Sequence, residues 1–474
     1  MVKKTILTAA LAAAFVAPAA HAADDKELAA IREQIRQMKQ SYEARLEALE
    51  QRLQEAQAAV AQVQNTAAAA QQASTAAPAP AAPVAAPEPA LAPPAAGAAA
   101  ASNAFNPNIS LVLAGTFQNL KQDPDNYRIQ GFMPAAGGEI GPGRRSFNLG
   151  ESEVTMAANI DPMFSGQLTF ALGSDDEVSV EEAFFQTRAL DNGLNIKAGR
   201  FLSAIGYLNG IHAHAWDFVD APLAYQAFFG GQYKPDGVQA RWLAPTETFL
   251  ELGVEAGSGR SFPGSDRNKN GFGSTSVFAH AGDDIGDSAS WRAGLSYLRT
   301  GSAERSYDEL TGLPAAFSGS SRLWIADAIY KWAPHGDPTR QNLKLQGEYI
   351  HRKEDGTLAA NDAASGYESG QSGWYLQGVY QFMPYWRAGL RYDRLSSGTP
   401  AIGIVSSGQL AADAFPTLAS YVPSRSSVML DYSPSEFSRL RLQYAHDKAR
   451  PGGSDNQLFL QYIMSLGTHA AHAF

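Results

Sequence analysis

The sequence predicts an all-β transmembrane barrel of about sixteen antiparallel strands, preceded by an α-helical coiled coil and an Ala/Pro-rich linker. Three observations carry this. Short segments after residue 105 alternate apolar and polar residues, as in Trp291-Arg292-Ala293-Gly294-Leu295-Ser296-Tyr297 and Leu440-Arg441-Leu442-Gln443-Tyr444. Period two puts one side chain type on each face of a strand. The connections alternate between long and short. The same stretch holds no apolar run of membrane-helix length.

The elements follow in chain order. Met1-Val2-Lys3-Lys4 is cationic, an Ala/Leu-rich run follows, and Ala20-His21-Ala22 has small-x-small spacing, so residues 1–22 read as a secretory signal peptide. Residues 23–65 are charged, Gln-rich and free of Gly and Pro. Leu28, Ile31, Ile35, Met38, Tyr42, Leu46, Leu49 and Leu53 recur at spacings of three and four, with one stutter at Met38–Tyr42–Leu46. A single helix cannot bury that stripe in water, so a homo-oligomeric coiled coil is expected, a rod of roughly 60 Å. Residues 66–104 are Ala- and Pro-rich, and Pro78, Pro80, Pro83, Pro87 and Pro89 forbid a continuous helix. An extended spacer fits that composition.

Residues 105–474 form the predicted barrel. The expected strand cores are 109–119, 145–158, 163–172, 178–188, 194–200, 235–243, 247–255, 274–280, 289–298, 321–333, 340–352, 371–382, 386–395, 425–433, 437–446 and 456–466. Asn159-Ile160-Asp161-Pro162, Asp191-Asn192-Gly193, Ala244-Pro245 and Met383-Pro384 are tight-turn compositions after even-numbered strands. Most odd-numbered strands lead into Gly-, Ser- and Asp-rich stretches, such as 121–144, 201–234, 300–320 and 396–424, and the third has a shorter connection, Gly173 to Val178. Long connections on one side and tight turns on the other are the asymmetry of an outer-membrane barrel. An even strand count leaves both termini in the periplasm, and the chain ends in an aromatic residue, Phe474.

The chain resembles Gram-negative porins at this point, above all the phosphate-selective porins O and P and the coiled-coil-bearing dicarboxylate-type porins. The likeness rests on Arg144-Arg145 opening the second strand, on Leu194-Asn195-Ile196-Lys197-Ala198-Gly199-Arg200-Phe201 entering a long segment, and on Asp217-Phe218-Val219-Asp220 within it. The resemblance implies a sixteen-stranded, trimeric diffusion channel in which that segment is a constriction loop.

If Trp and Leu face lipid, the opposite parity faces water. That assigns Lys197, Arg241, Arg292, Lys344, Arg387, Arg391, Arg439 and Arg441 to the lumen, with Glu151, Glu153, Glu251, Glu255, Asp327, Glu348 and Asp393. Mixed charge across a narrow passage favours hydrophilic solutes over apolar ones. Residues 201–234 carry Trp216, Phe218, Tyr225, Phe228 and Phe229, too many aromatics for a loop bathed in water. Folding into the barrel, with Trp216, Asp217, Phe218, Asp220 and Tyr225 as constriction residues, accounts for them.

The residues argue against other chemistries. The formal charge of −10 disfavours nucleic acid. Cysteine is absent, so thiolate chemistry is excluded. No His/Glu zinc motif, glycine-rich phosphate loop or serine elbow occurs, so neither an enzyme nor a cofactor is expected. His212 and His214 with Asp217 and Asp220, like His469 and His472, fall short of a recognised metal-ligand spacing. The leading expectation is passive diffusion of small hydrophilic, charged solutes across the outer membrane. A structural anchor or cell-wall tether with a largely closed barrel is the alternative. Expected partners are two further copies of the chain, outer-membrane lipid and lipopolysaccharide, and peptidoglycan.

Overall fold

A computed structural model describes residues 107–135, 140–173 and 177–467. The signal peptide, coiled coil, linker and C-terminal aromatic residue read from the sequence lie outside the described residues.

One antiparallel sheet closes on itself. In chain order its staves are β1 (Asn108–Leu120), β2 (Ser146–Leu149 continued by Ser152–Asn159), β3 (Phe164–Leu172), β4 (Val178–Thr187), β5 (Leu194–Arg200), β6 (Asp236–Leu243), β7 (Phe249–Gly257) and β8 (Ser274–Ile285). The circuit continues through β9 (Ala289–Asp308), β10 (Pro314–Trp332), β11 (Asn342–Ala360), β12 (Ala363–Met383), β13 (Trp386–Ser396), β14 (Ser424–Ser435), β15 (Ser438–Lys448) and β16 (Asp455–Gly467). β1 pairs with β16 from Ser110↔Gly467 to Leu120↔Gln457, which closes the barrel at sixteen staves. Both halves of β2 pair with β1. They break at Gly150, where a Cβ would approach the Ala114 side chain to 2.8 Å.

Period two produces an inside and an outside. Along β13, Leu390 is 65% exposed while Arg391 and Asp393 are buried. Leu440, Leu442 and Tyr444 on β15, and Leu458, Leu460 and Tyr462 on β16, are likewise exposed between buried Arg441, Gln443, Gln457 and Phe459. The outer wall is therefore apolar and the polar side chains point inward, the reverse of a soluble β-protein. Among the described residues no helix is long and apolar enough to cross a membrane.

The wall is uneven in height. β5 has 7 residues, whereas β12 has 21. The stretch 300–320, expected as a long loop, is instead the upper part of a hairpin: β9 runs to Asp308 and β10 restarts at Pro314. β11 and β12 extend in the same way, to Ala360 and from Ala363. Gly and Ser there read as loop composition, yet Gly319 and Gly356 are register partners in which a Cβ would come within 2.3 and 2.2 Å of the opposing backbone. Glycine at those positions allows close strand contact.

Two long connections fold toward the middle at the long-loop end. Gly131 donates its N–H to the Thr417 carbonyl, and Gln371 Nε2 donates to the Gly131 carbonyl at 2.7 Å. Met133, Ile404, Phe415 and Leu418 from these connections bury against Phe317, Leu358 and Tyr367 of the high wall.

Candidate functional site

The connection from β5 to β6, residues 201–235, crosses the barrel interior. Its neck is a clip: Asn209 Nδ2 donates to the carbonyls of Ser203 and Tyr233, both at 2.8 Å, and the Tyr233 N–H donates back to Asn209 Oδ1 at 2.7 Å. Carboxyl groups on the wall accept the amides of its first turns. Glu182 takes the Leu202 N–H and Glu255 takes the Ala204 N–H and the Ser203 hydroxyl. Glu348 on β11 accepts four donors: the amides of Tyr207 and Leu208 at 3.2 and 2.9 Å, and the hydroxyls of Tyr225 and Tyr375 at 2.8 and 2.7 Å. Gly206, at φ +67°, makes this approach feasible, because a Cβ would sit 2.4 Å from Glu348 Oε2.

Midway, the connection exchanges charge with β11 and β13–β15. Asp217 lies 2.6 Å from Lys344 Nζ and 3.3 Å from Arg387 Nη1. Asp220 lies 2.7 Å from Arg391 and 2.6 Å from Arg425. Burial resists ionisation of Asp217, but Lys344 and Arg387 outweigh it and hold the carboxyl below the usual aspartate range. Asp220 is lowered against its burial by Arg425 and Arg391 in the same way. The stabilisation such lowered carboxyls provide is complete above the ordinary aspartate pKa of about 4 and is lost only as pH falls through their depressed values. Both anchors are thus ionised across the neutral range.

A short helix, α1 (Leu223–Phe229), follows, buried along its length and ended by Gly230 in the left-handed conformation. Asp393 accepts its first N–H at 2.9 Å. Tyr225, Phe228 and Phe229 pack with Leu323, Ile325, Ile350, Tyr375 and Leu395 of the wall. Trp216 and Phe218 are buried too, the latter beneath the Arg391 guanidinium at 4.6 Å.

The remaining residues expected in the lumen divide into paired and partly open groups. Lys197 stands 4.2 Å from the Phe184 ring centroid, Arg241 pairs with Glu251 at 3.5 Å, and Arg292 lies 5.2 Å over the Tyr207 ring. Arg441 pairs with Asp431 at 2.8 Å and donates to the Trp216 carbonyl. Asp327 sits beside Gly294, where a Cβ would meet its Oδ2 at 2.2 Å. Toward the tight-turn end, Lys344, Arg387 and Arg439 keep about a fifth of their side-chain surface open, at 20, 20 and 18%. They line a cavity of ≈ 490 Å³ with Asp217, His214 and Tyr385. Glu436 also lines it, so the cavity sets Lys344, Arg387 and Arg439 against Asp217 and Glu436.

Sequence parity overlooked Arg425, which opens its predicted strand and reads as a strand end. Extending the β14 alternation back from exposed Leu430 and Val428 turns it inward. Glu181 and Glu182 were invisible for another reason. The β3–β4 register runs Thr169↔Glu182 and Phe170↔Val180, so Glu181 is an extra, bulged residue. A bulge re-aims side chains, and both successive carboxylates are buried.

No family model matches the chain. A protein of Aquifex aeolicus, described as uncharacterized, is 29% identical over 403 residues, covering 78% of this chain and 80% of that protein. Solved structures with a similar barrel include OmpT, an outer membrane protein of Vibrio cholerae (11% identity, 77% of this chain and 99% of that one, TM-score 0.46). Others are the outer membrane channel DcaP of Acinetobacter baumannii (13%, 76% and 97%, TM-score 0.46) and an anion-selective porin from Comamonas acidovorans (10%, 76% and 99%, TM-score 0.45).

Proposed function

We propose that the protein is an outer-membrane porin through which small hydrophilic, charged solutes diffuse passively, narrowed by residues 201–235. The observation that carries this reading is the charged seat of that segment: Asp217 and Asp220 are held by Lys344, Arg387, Arg391 and Arg425 on the inner wall. Beside that seat Lys344, Arg387 and Arg439 stay partly open to the interior cavity, and ionised side chains at membrane depth are tolerated where water reaches them. In this reading Lys197, Arg241, Arg292, Lys344, Arg387, Arg391, Arg439 and Arg441, with Glu251, Glu255, Asp327 and Glu348, set the field along the passage. The N-terminal segment lies in the periplasm, where it meets peptidoglycan, and lipopolysaccharide surrounds the barrel at the long-loop end.

Arg439 tests the electrostatics, because it is partly open to the tight-turn cavity and its nearest carboxylate oxygen, on Asp431, is 3.9 Å away. Arg439→Glu reverses the local sign, so the reversal potential under a salt gradient is expected to move toward cations. An unmoved reversal potential in a folded variant places that cavity off the conducting path.

The same proposal includes a homotrimer, joined through the predicted coiled coil and the barrel wall. Native mass measurement of the detergent-extracted protein is expected to give three copies. A monomer with the segment 23–65 intact contradicts the coiled coil.

A further inference from the structure

We propose a binding site for one divalent transition-metal ion, of the zinc class, where residues 201–235 meet β2 and β4. Its ligands are His212, His214 and Glu153, whose donor atoms lie within 4.8 Å of one another, with Glu181, 3.0 Å from His212, as the fourth. The inference stands on side chains that play no part in the charged seat described above.

His212 Nδ1 lies 3.1 Å from Glu153 Oε2 and 3.0 Å from Glu181 Oε2. Its Nε2 lies 3.2 Å from Glu182 Oε2, and His214 Nδ1 lies 2.6 Å from Glu153 Oε1. One donor atom each from Glu153, His212 and His214 falls within a 4.8 Å cluster, and the same holds for Glu151, Glu153 and Glu181. Two ligands held by one zinc ion at about 2.1 Å with tetrahedral angles are about 3.4 Å apart. The separations around His212 need only small side-chain rotations to reach that value. Imidazole nitrogen with carboxylate oxygen suits zinc, cobalt or nickel, whereas magnesium and calcium prefer all-oxygen sites.

A second, independent observation is the state of Glu181. Its side chain is fully buried, and among the described residues its Oε1 has no hydrogen-bond partner. An unpartnered buried carboxylate oxygen is costly, and a bound cation satisfies it. The β4 bulge that turns Glu181 inward beside Glu182 produces this arrangement. Such bulges are associated with functional sites. Within ion-pair distance among the described residues, Glu153, Glu181 and Glu182 meet the two imidazoles, and Lys197 acts on Glu182 from farther away.

The ligands come from two sources: the histidines belong to the interior connection and the glutamates to the wall. A bound ion therefore fastens the connection to β2 and β4, in addition to its charged seat on β11 and β13–β15.

The test is metal titration of the whole folded protein after chelator treatment. His469 and His472 are first replaced by Ala, so that the C-terminal histidines contribute nothing. One zinc per chain is expected at micromolar affinity or tighter, and cobalt(II) bound there should show visible d–d absorption. His214→Ala and the shape-conserving Glu153→Gln should each weaken zinc on the order of 100-fold or more, exceeding the loss usual for a change outside the ligand sphere. His446→Ala, at a partly exposed histidine paired with Asn456, should leave binding unchanged. Absence of zinc uptake by the parent overturns the proposal and leaves an imidazolium–carboxylate clamp. Parent-like affinity in both ligand variants, or magnesium binding as tightly as zinc, overturns it as well.

Discussion

Shortening the interior connection between Gly206 and Gly231 is expected to raise single-channel conductance several-fold while leaving the barrel able to insert. The removed residues include α1 and the Trp216–Asp220 stretch, which reach across from β5 to β11–β15. Barrel closure does not depend on them, because each stave keeps its two neighbours. A sixteen-stranded barrel without an interior segment is wide enough for an aqueous channel. The deletion also uncovers Leu323, Ile325, Ile350 and Leu395 to the lumen, so its thermal stability should fall while the conductance rises. Unchanged conductance in a folded deletion would place these residues outside the limiting passage.

Glu348→Ala should unseat the same connection without removing it. The wild-type carboxyl group accepts two backbone amides and two tyrosine hydroxyls in a buried setting. The hydroxyls of Tyr225 and Tyr375 can rotate toward other acceptors, but the amides of Tyr207 and Leu208 are fixed by the chain. Orphaning one buried and one partly buried amide costs about 3 kcal/mol. That raises the unseated population on the order of 100-fold. The β10–β11–β12 ladder is untouched, so the barrel itself should persist. Rapid transitions between conductance levels, and protease cleavage within 201–235 of the detergent-solubilised protein, are the readouts. A quiet channel with parental protease resistance would show that Glu348 does not hold the seat.

The strand pattern was legible in the sequence because a barrel with lipid outside and water inside imposes period two on almost every stave. Trp291, Leu295 and Leu440 mark one face, and Arg292, Arg439 and Arg441 mark the other. Turn compositions such as Ala244-Pro245 then separated the staves. The upper parts of β9–β12 were not legible. Above the apolar belt both faces of a strand tolerate Gly, Ser and charge, so periodicity fades where pairing continues. The two sides of the interior differ likewise. Arg387, Arg391 and Arg441 follow parity and were found by it. Glu181 and Arg425 were missed, one because a bulge breaks parity and the other because it opens its strand. The contact of His212 and His214 with Glu153 and Glu181 joins residues from three separate segments. No local spacing announces it.

The most direct measurement is the conductance of the unaltered protein in a planar bilayer, recorded beside the Gly206–Gly231 deletion. A narrowed diffusion channel gives a small, reproducible parental conductance and a larger one in the deletion. Zero conductance in both, with insertion verified for each, would contradict the diffusion channel and leave a sealed anchor.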